Sequence, residues 1–307
     1  MSAESILILG TGAMACFFGA RLAGAAQVTL LGTWEEGLKA LEAEGIRLVE
    51  LDGSLQRVRV RVARETEACR AAALALVLVK SWQTERAAQQ LARCLGADGL
   101  ALTLQNGLGN LEILASAVGT DRAALGVTTC GATLLGPGHV RVGGTGPTYL
   151  GPHPGLDRFA GLFEQAGFKI ERSDDLQGLQ WSKLAVNTGI NPVSALLDVR
   201  NGELLELPGL QDVLRAAVEE TAAVAAARGA NMAFQDPVGE TIAVAGRTGE
   251  NLSSMLQDIR RGAPTEIDAI CGAVVREGER LGVDTPVNRA LWNLVRGQAA
   301  KAERITT

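Results

Sequence analysis

The sequence predicts an α/β domain with a mainly parallel sheet over residues 1–174, followed by an all-α domain over residues 175–307. Three observations carry this. Short, unbroken apolar runs such as Ser5–Leu9 and Leu74–Val79 alternate with helical patterns in the first half, as in strands buried on both faces. A glycine turn follows the first of these runs at once. Past Ser173-Asp-Asp175 the strand signals stop and 3.6-residue periodicity takes over.

Taken in order, Ser5–Leu9 is the first strand. Gly10-Thr11-Gly12-Ala13-Met14-Ala15 and an apolar helical pattern through Phe17, Phe18 and Leu22 come next. This G-x-G-x-x-A, placed between strand and helix, is a variant of the dinucleotide fingerprint. Gly10 permits the tight turn, Gly12 lets backbone approach a pyrophosphate, and small Ala15 lets helix pack on strand. The helix N-terminus offers free N–H groups to phosphate. An ordinary βα turn can share this pattern. Gln27–Leu31 is the second strand. Gly32-Thr33-Trp34-Glu35-Glu36 after it has neither an arginine nor an acid at the strand tip, so the NAD/NADP choice stays open.

Ile46–Leu51 and Leu55–Val62 read as a β-hairpin around Asp52-Gly53-Ser54. Leu74–Val79 ends in Lys80, and Leu100–Leu104 ends in Gln105-Asn106-Gly107. Singly, Lys80 and Asn106 are loop-capping polar residues. Together, at carboxyl ends of strands beside a glycine turn, they point to cofactor contact. Residues 123–129, 133–135, 139–142 and 148–150 read as short strands, with Gly136-Pro137-Gly138 and Gly143-Gly144 as turns. A helix at 156–166 and a strand at 169–171 complete the domain.

The second half opens on Trp181–Pro192, a helix running into a proline. Lys183, Asn187 and Asn191 fall at i, i+4 and i+8 on one face. A lysine and two amides among apolar neighbours either face solvent or line a wet cleft, because burying them unpartnered costs a few kcal/mol. Helices follow at 202–207, 212–228, 239–245, 266–281 and 286–295. Ser254 reads alone as a helix N-cap. Glu266 reads as an acid in a first helical turn, suited to the dipole.

Bulk composition narrows the function. A net charge of −5 implies no pull toward nucleic acid or an anionic membrane. Five scattered cysteines without a C-x-x-C fit a reducing compartment. Two histidines, outside metal-ligand spacing, argue against zinc. No signal peptide or membrane span is evident, which predicts a cytoplasmic protein. Monomer and homodimer both remain open.

In combination the motifs resemble the ketopantoate reductase family, from Ile6 to about Arg296. They are the Gly10–Ala13 turn, V-K-x-W-Q at Val79–Gln83, and Q-N-G at Gln105–Gly107. The second half adds W-x-K-L-x-x-N-x-x-x-N-P at Trp181–Pro192, N-G-E-L at Asn201–Leu204, and the Ser253–Asp268 stretch. The resemblance implies a Rossmann-type domain followed by an all-α domain of the 6-phosphogluconate dehydrogenase-like C-terminal type. It implies NADPH-dependent reduction of 2-dehydropantoate to (R)-pantoate, toward pantothenate and coenzyme A. Lys183 would be the general acid, with Glu266 near substrate and nicotinamide ribose. Asn187, Asn191 and Ser254 would hold substrate, with Asn201 a secondary contributor. Gly10–Ala15, Lys80 and Asn106 would hold the cofactor. Thr33 stands where many relatives have an arginine for the 2′-phosphate, which leaves NAD open beside NADP. A protonated lysine suits reduction, because charge builds on the ketone oxygen. Two alternatives remain: a reductase of another 2-keto acid, and a non-catalytic NAD(P)-binding sensor.

Overall fold

The computed structural model describes Glu4–Thr306, with side chains up to Lys301. The chain forms two compact units. One takes residues up to Gln105 together with Asn110–Leu176; the other takes Asn106–Gly109 together with Gln177 onward.

The first unit is α/β. In chain order it holds β1 (Ser5–Leu9), α1 (Ala13–Leu22), β2 (Gln27–Leu31), α2 (Glu35–Glu44), β3 (Ile46–Val49), β4 (Leu55–Val58) and β5 (Arg61–Ala63). Then come β6 (Ala72–Val77), α3 (Thr84–Cys94), β7 (Leu95–Thr103), α4 (Asn110–Val118), β8 (Ala123–Gly136), β9 (His139–Leu150), α5 (Leu156–Gln165) and β10 (Ile170–Arg172). The strand order is β4-β3-β9-β8-β7-β6-β1-β2-β5, with β10 beside β9. β1 therefore lies between β6 and β2, parallel to both. The chain's path across the sheet reverses at β1, and ligands gather outside strand ends at such a point.

Alternation along β1 explains the layers. Ile6 and Ile8 join a core with α1 and α5, while Leu7 and Leu9 join a separate core with α3 and α4. Aromatic rings fill the first of these. Phe18 stacks on Phe168 with centroids 4.4 Å apart, and Phe17 meets both rings edge-on at 5.6 and 5.5 Å.

Two expectations for this unit need correction. The hairpin after Gly53 pairs only as far as Val58. The chain then leaves β3, and β5 runs parallel to β2 instead, with Leu31 opposite Ala63. The short strands at 123–150 are two long antiparallel ones, β8 and β9, whose register slips at three places. Gly143-Gly144 is no turn. It lies inside β9 facing Gly131, where a Cβ on Gly143 would stand 3.4 Å from the Gly131 carbonyl. These glycines serve irregularities in the ladder.

The second unit is helical: α6 (Leu176–Leu197), α7 (Leu210–Ala227), α8 (Pro237–Arg247), α9 (Ser254–Arg260), α10 (Cys271–Leu281) and α11 (Pro286–Thr306). α6 does not stop at Pro192. The ring removes one backbone donor, but Val193, Ser194 and Ala195 beyond it are buried, and their burial carries the helix on. The core gathers around Trp181, with small residues where helices meet. A Cβ on Gly189 would fall 2.8 Å from Val218 and 2.9 Å from Thr241, so α6 lies tight against α7 and α8. The Glu220 carboxylate accepts from the Val287 and Asn288 N–H groups, both at 2.8 Å, and so caps α11. Among the described residues no helix is long and apolar enough to cross a membrane.

Candidate active site

In the α/β unit the functional edge is the carboxyl end of β1. Gly10 has φ +129°, a conformation that favours glycine. A Cβ there would also stand 3.1 Å from the Leu78 carbonyl oxygen and 3.3 Å from Ala15 Cβ. Neighbouring strands clamp the turn: Gly10 N donates to Leu31 O at 2.8 Å, and Leu78 N donates to Leu9 O at 2.9 Å. The buried Cys16 thiol lies 3.5 Å from the Thr11 carbonyl, and burial pushes its pKa up to about 12. It is inert packing that braces the turn.

Gly12 has a different reason to be glycine. Its φ of −83° and ψ of −169° suit any residue, and no atom lies within 4 Å of where a Cβ would sit. The position opens on empty space at the head of α1, where no side chain caps the helix. A side chain there would fill the approach to free N–H groups, which is the space a phosphate needs. Gly12, Ala13 and Met14 are half-buried at this end of α1, while Thr11 and Ala15 are buried. These residues fit a dinucleotide. Lys80 stands three residues past the end of β6, beside the same edge, and is half-buried.

At the neighbouring end of β2, Gly32 makes room for Thr11, whose Cγ2 would lie 2.6 Å from an added Cβ. Thr33 is exposed. Gly32 N donates to Ala63 O at 3.2 Å, which sets Arg64 level with this strand end. Sequence reasoning missed Arg64, because it took residues 61–62 for part of the hairpin.

The Q-N-G motif divides between the two units. Gln105 serves the α/β unit. Its Nε2 donates to Val79 O at 2.9 Å and Thr84 Oγ1 at 2.8 Å, and its Oε1 accepts from Thr103 Oγ1 at 2.9 Å. Asn106 belongs to the helical unit and donates from Nδ2 to Glu266 Oε2 at 3.3 Å. Gly107 is held there too. Its carbonyl accepts from Gln180 Nε2 at 2.9 Å, and a Cβ would collide with the Ala269 carbonyl at 2.3 Å. Gln180 is a second residue that the sequence did not single out.

Glu266 is buried but not helical. It lies in a turn, its own carbonyl accepts from Ala269 and Ile270 N–H, and α10 starts only at Cys271. The expected helix-dipole role therefore fails. What this carboxylate has instead is the Asn106 amide.

The stripe on α6 is realised. Lys183 and Asn187 are half-buried and Asn191 is buried, so the face deepens along the helix. Asn187 Nδ2 is buried and has no hydrogen-bond partner. Such an orphan donor costs roughly 1–3 kcal/mol unless a ligand accepts from it. Asn191 is tied to the start of α9: Ser194 Oγ lies 3.1 Å from the Asn191 carbonyl and 2.7 Å from Ser253 Oγ. Ser253, not Ser254, is the N-cap, accepting from Leu256 N at 3.1 Å. The N-cap reading of Ser254 is thereby overturned, and its half-exposed hydroxyl is released from capping. Asn201 is satisfied on its donor side only, its buried Oδ1 having no partner. Its Nδ2 donates to Thr248 Oγ1 at 2.9 Å and its backbone N–H to Asn251 O at 3.0 Å. It braces the segment between α8 and α9.

Comparison with known proteins identifies the family. The profile described as Ketopantoate reductase PanE/ApbA matches residues 6–155, and the one for its C terminal matches residues 175–299. The chain is 39% identical to the 2-dehydropantoate 2-reductase of Halobacterium salinarum, over 95% of this chain and 97% of that one. It is 38% identical to that of Archaeoglobus fulgidus, over 97% and 98%. Among solved structures, a PanE/ApbA family ketopantoate reductase from Ralstonia eutropha JMP134 superposes with TM-score 0.89 at 34% identity, covering 98% of this chain and 100% of that one. A D-mandelate dehydrogenase bound to NADH and anilino(oxo)acetate superposes with TM-score 0.90 at 27% identity, covering 98% and 100%. With both halves matched in order and nearly full length covered, the chain is an oxidoreductase that belongs to the ketopantoate reductase family.

Proposed function

We propose that this chain reduces 2-dehydropantoate to (R)-pantoate, a step toward pantothenate and coenzyme A, using NADH or NADPH. The observation that carries the reading is the α6 face, where a half-buried lysine precedes by one turn a buried amide donor with no partner. Relatives that span nearly the whole chain and bear the name 2-dehydropantoate 2-reductase support the choice of substrate.

When bound, the reduced nicotinamide supplies the hydride. The Gly10–Ala15 turn would hold the pyrophosphate through backbone N–H groups, and Lys80 would add a positive charge at the same strand edge. Asn106 would be a further cofactor contact. On α6, Lys183 Nζ is the general acid. Its proton would pass to the C2 carbonyl oxygen as that oxygen gains the carbonyl electron pair. An ammonium has an ordinary pKa of about 10.4, so it is loaded for this step near neutral pH. It also stabilises the developing alkoxide before transfer. Asn187 Nδ2 donates to a substrate oxygen, which ends its isolation. Asn191 and the Ser254 hydroxyl hold the carboxylate and hydroxyl end, with Asn201 supporting them through the segment it braces. Glu266 orients substrate and ribose through hydrogen bonds, fixed in turn by Asn106.

The test is loss of absorbance in the reduced-nicotinamide band on adding 2-dehydropantoate. Turnover that vanishes in Lys183→Ala while nucleotide still binds supports the reading; near-normal turnover refutes it. A second reading is favoured by the likeness to a D-mandelate dehydrogenase: reduction of an aryl 2-keto acid by the same groups. A larger kcat/KM for phenylglyoxylate than for 2-dehydropantoate would select it.

A further inference from the structure

At the carboxyl end of β2 a dinucleotide's adenosine ribose is read, by an acid for a 2′-hydroxyl or a cation for a 2′-phosphate. Here Gly32-Thr33 supplies neither. The nearby cation comes from the next strand, because β5 lies parallel to β2 and Arg64 follows it directly.

That cation is fully engaged. Arg64 Nε and Nη2 lie 3.2 and 3.3 Å from the Glu35 carboxylate oxygens. Its Nη1 and Nη2 also bind Glu42, the second at 3.0 Å. Glu35 stands in the first turn of α2 and Glu42 two turns later, so one guanidinium spans two carboxylates along one helix. Glu36 adds a further negative charge beside Glu35, and Lys39 returns one positive charge at 3.7 Å from Glu35. Two carboxylates against one guanidinium leave the clamp itself with one net negative charge.

We propose that the Glu35–Arg64–Glu42 clamp sets the nucleotide choice of this chain. It withholds the one guanidinium level with the ribose position and excludes a 2′-phosphate, so the chain takes NADH. A 2′-phosphate carries close to two negative charges at neutral pH. To bind Arg64 it must displace two carboxylates and then lie beside them. A 2′-hydroxyl needs no cation, and the Glu35 oxygens or Thr33 hydroxyl can accept from it. The inference rests on the dinucleotide reading of this unit.

The experiment uses ligands that carry only the ribose end. Calorimetric titration of the full chain compares 5′-AMP with adenosine 2′,5′-bisphosphate, then NADH with NADPH, in the absence of any keto acid. The wild type should bind each unphosphorylated form more tightly, by about tenfold, the scale of one charge-assisted hydrogen bond. The E35Q/E42Q double variant should narrow or reverse that gap by a similar factor, and adding R64Q should cancel the gain. Exposed ion pairs contribute little to stability, so these variants fold, and their melting temperatures check it. A wild type that prefers the 2′-phosphate overturns the proposal, as does a double variant whose ratio does not move. If no nucleotide binds at all, the dinucleotide reading falls and the proposal with it.

Discussion

Gln105 and Asn187 are both half-buried amides, one in each unit, and the chain treats them oppositely. Gln105 uses its amide nitrogen twice and its oxygen once, joining the ends of β6 and β7 to the start of α3. Asn187 has a buried nitrogen with nothing to donate to. A fold tolerates an unsatisfied buried donor at a cost of roughly 1–3 kcal/mol. It gains from a satisfied one. The first amide therefore works for the structure, and the second stands ready for something the chain itself does not provide. A motif hit alone cannot separate these two uses; the hydrogen bonds do.

The contrast makes its largest prediction one turn before Asn187. Lys183→Ala should cut kcat by about 10²–10⁴-fold, the range for a positioned general acid, with NADH affinity retained in a titration. Asn187→Ala should lower kcat/KM by about 10–100-fold, the worth of one hydrogen bond to a polar or charged substrate atom. Its melting temperature should hold or rise, because the variant removes an orphan. A fall in stability without a fall in kcat/KM would collapse the contrast. Gln105→Ala should do the reverse and cost about 1–3 kcal/mol in denaturant unfolding, with its catalytic effect following stability.

Glu220 sharpens the comparison within the helical unit. It is a satisfied carboxylate on the structural side, so Glu220→Ala should destabilise by about 1–2 kcal/mol, as for a lost helix cap, and leave nucleotide binding untouched. The smallest effect concerns pH. Hydrogen bonds from Arg64 hold Glu35 and Glu42 below the usual carboxylate range. Groups with depressed pKa contribute above their unfolded value and lose that contribution only as pH falls through the folded one. The NADH-to-NADPH affinity ratio should therefore stay flat from about pH 7.5 to about pH 9, above both an ordinary carboxylate pKa of about 4 and the second ionisation of the 2′-phosphate near about pH 6. A ratio that titrates within that window would point to a different group.

How much of this could be read from the chain depended on distance along it. The Gly10–Ala15 turn was legible because strand, turn and helix are consecutive. The α6 stripe was legible because i, i+4 spacing is local. Ser253 took the cap from its neighbour because its hydroxyl also meets Ser194, 59 residues away. Glu266 lost its helix because residues 266–270 bond into a turn whose Ala269 carbonyl receives Leu108 N–H. Pro192 failed to end α6 because burial beyond it outweighed one missing donor. Arg64 stayed hidden because nothing in a run of alternating arginine and valine says which strand it will leave.

Asn106–Gly109 is four residues long, yet it is fastened by groups that are synthesised much later. Leu108 N donates to Ala269 O at 3.1 Å, and Asn106 reaches Glu266, 160 positions on. On the ribosome the α/β unit can emerge nearly whole while this segment still lacks its partners. A chaperone or protease meeting the nascent chain would find its exposed peptide there. A gene cut after Leu176 would leave that peptide unfastened in one fragment and the matching seat empty in the other. The helical half is thus not a separable cassette, and a recombinant fragment beginning at Gln177 should need residues 106–109 supplied in trans.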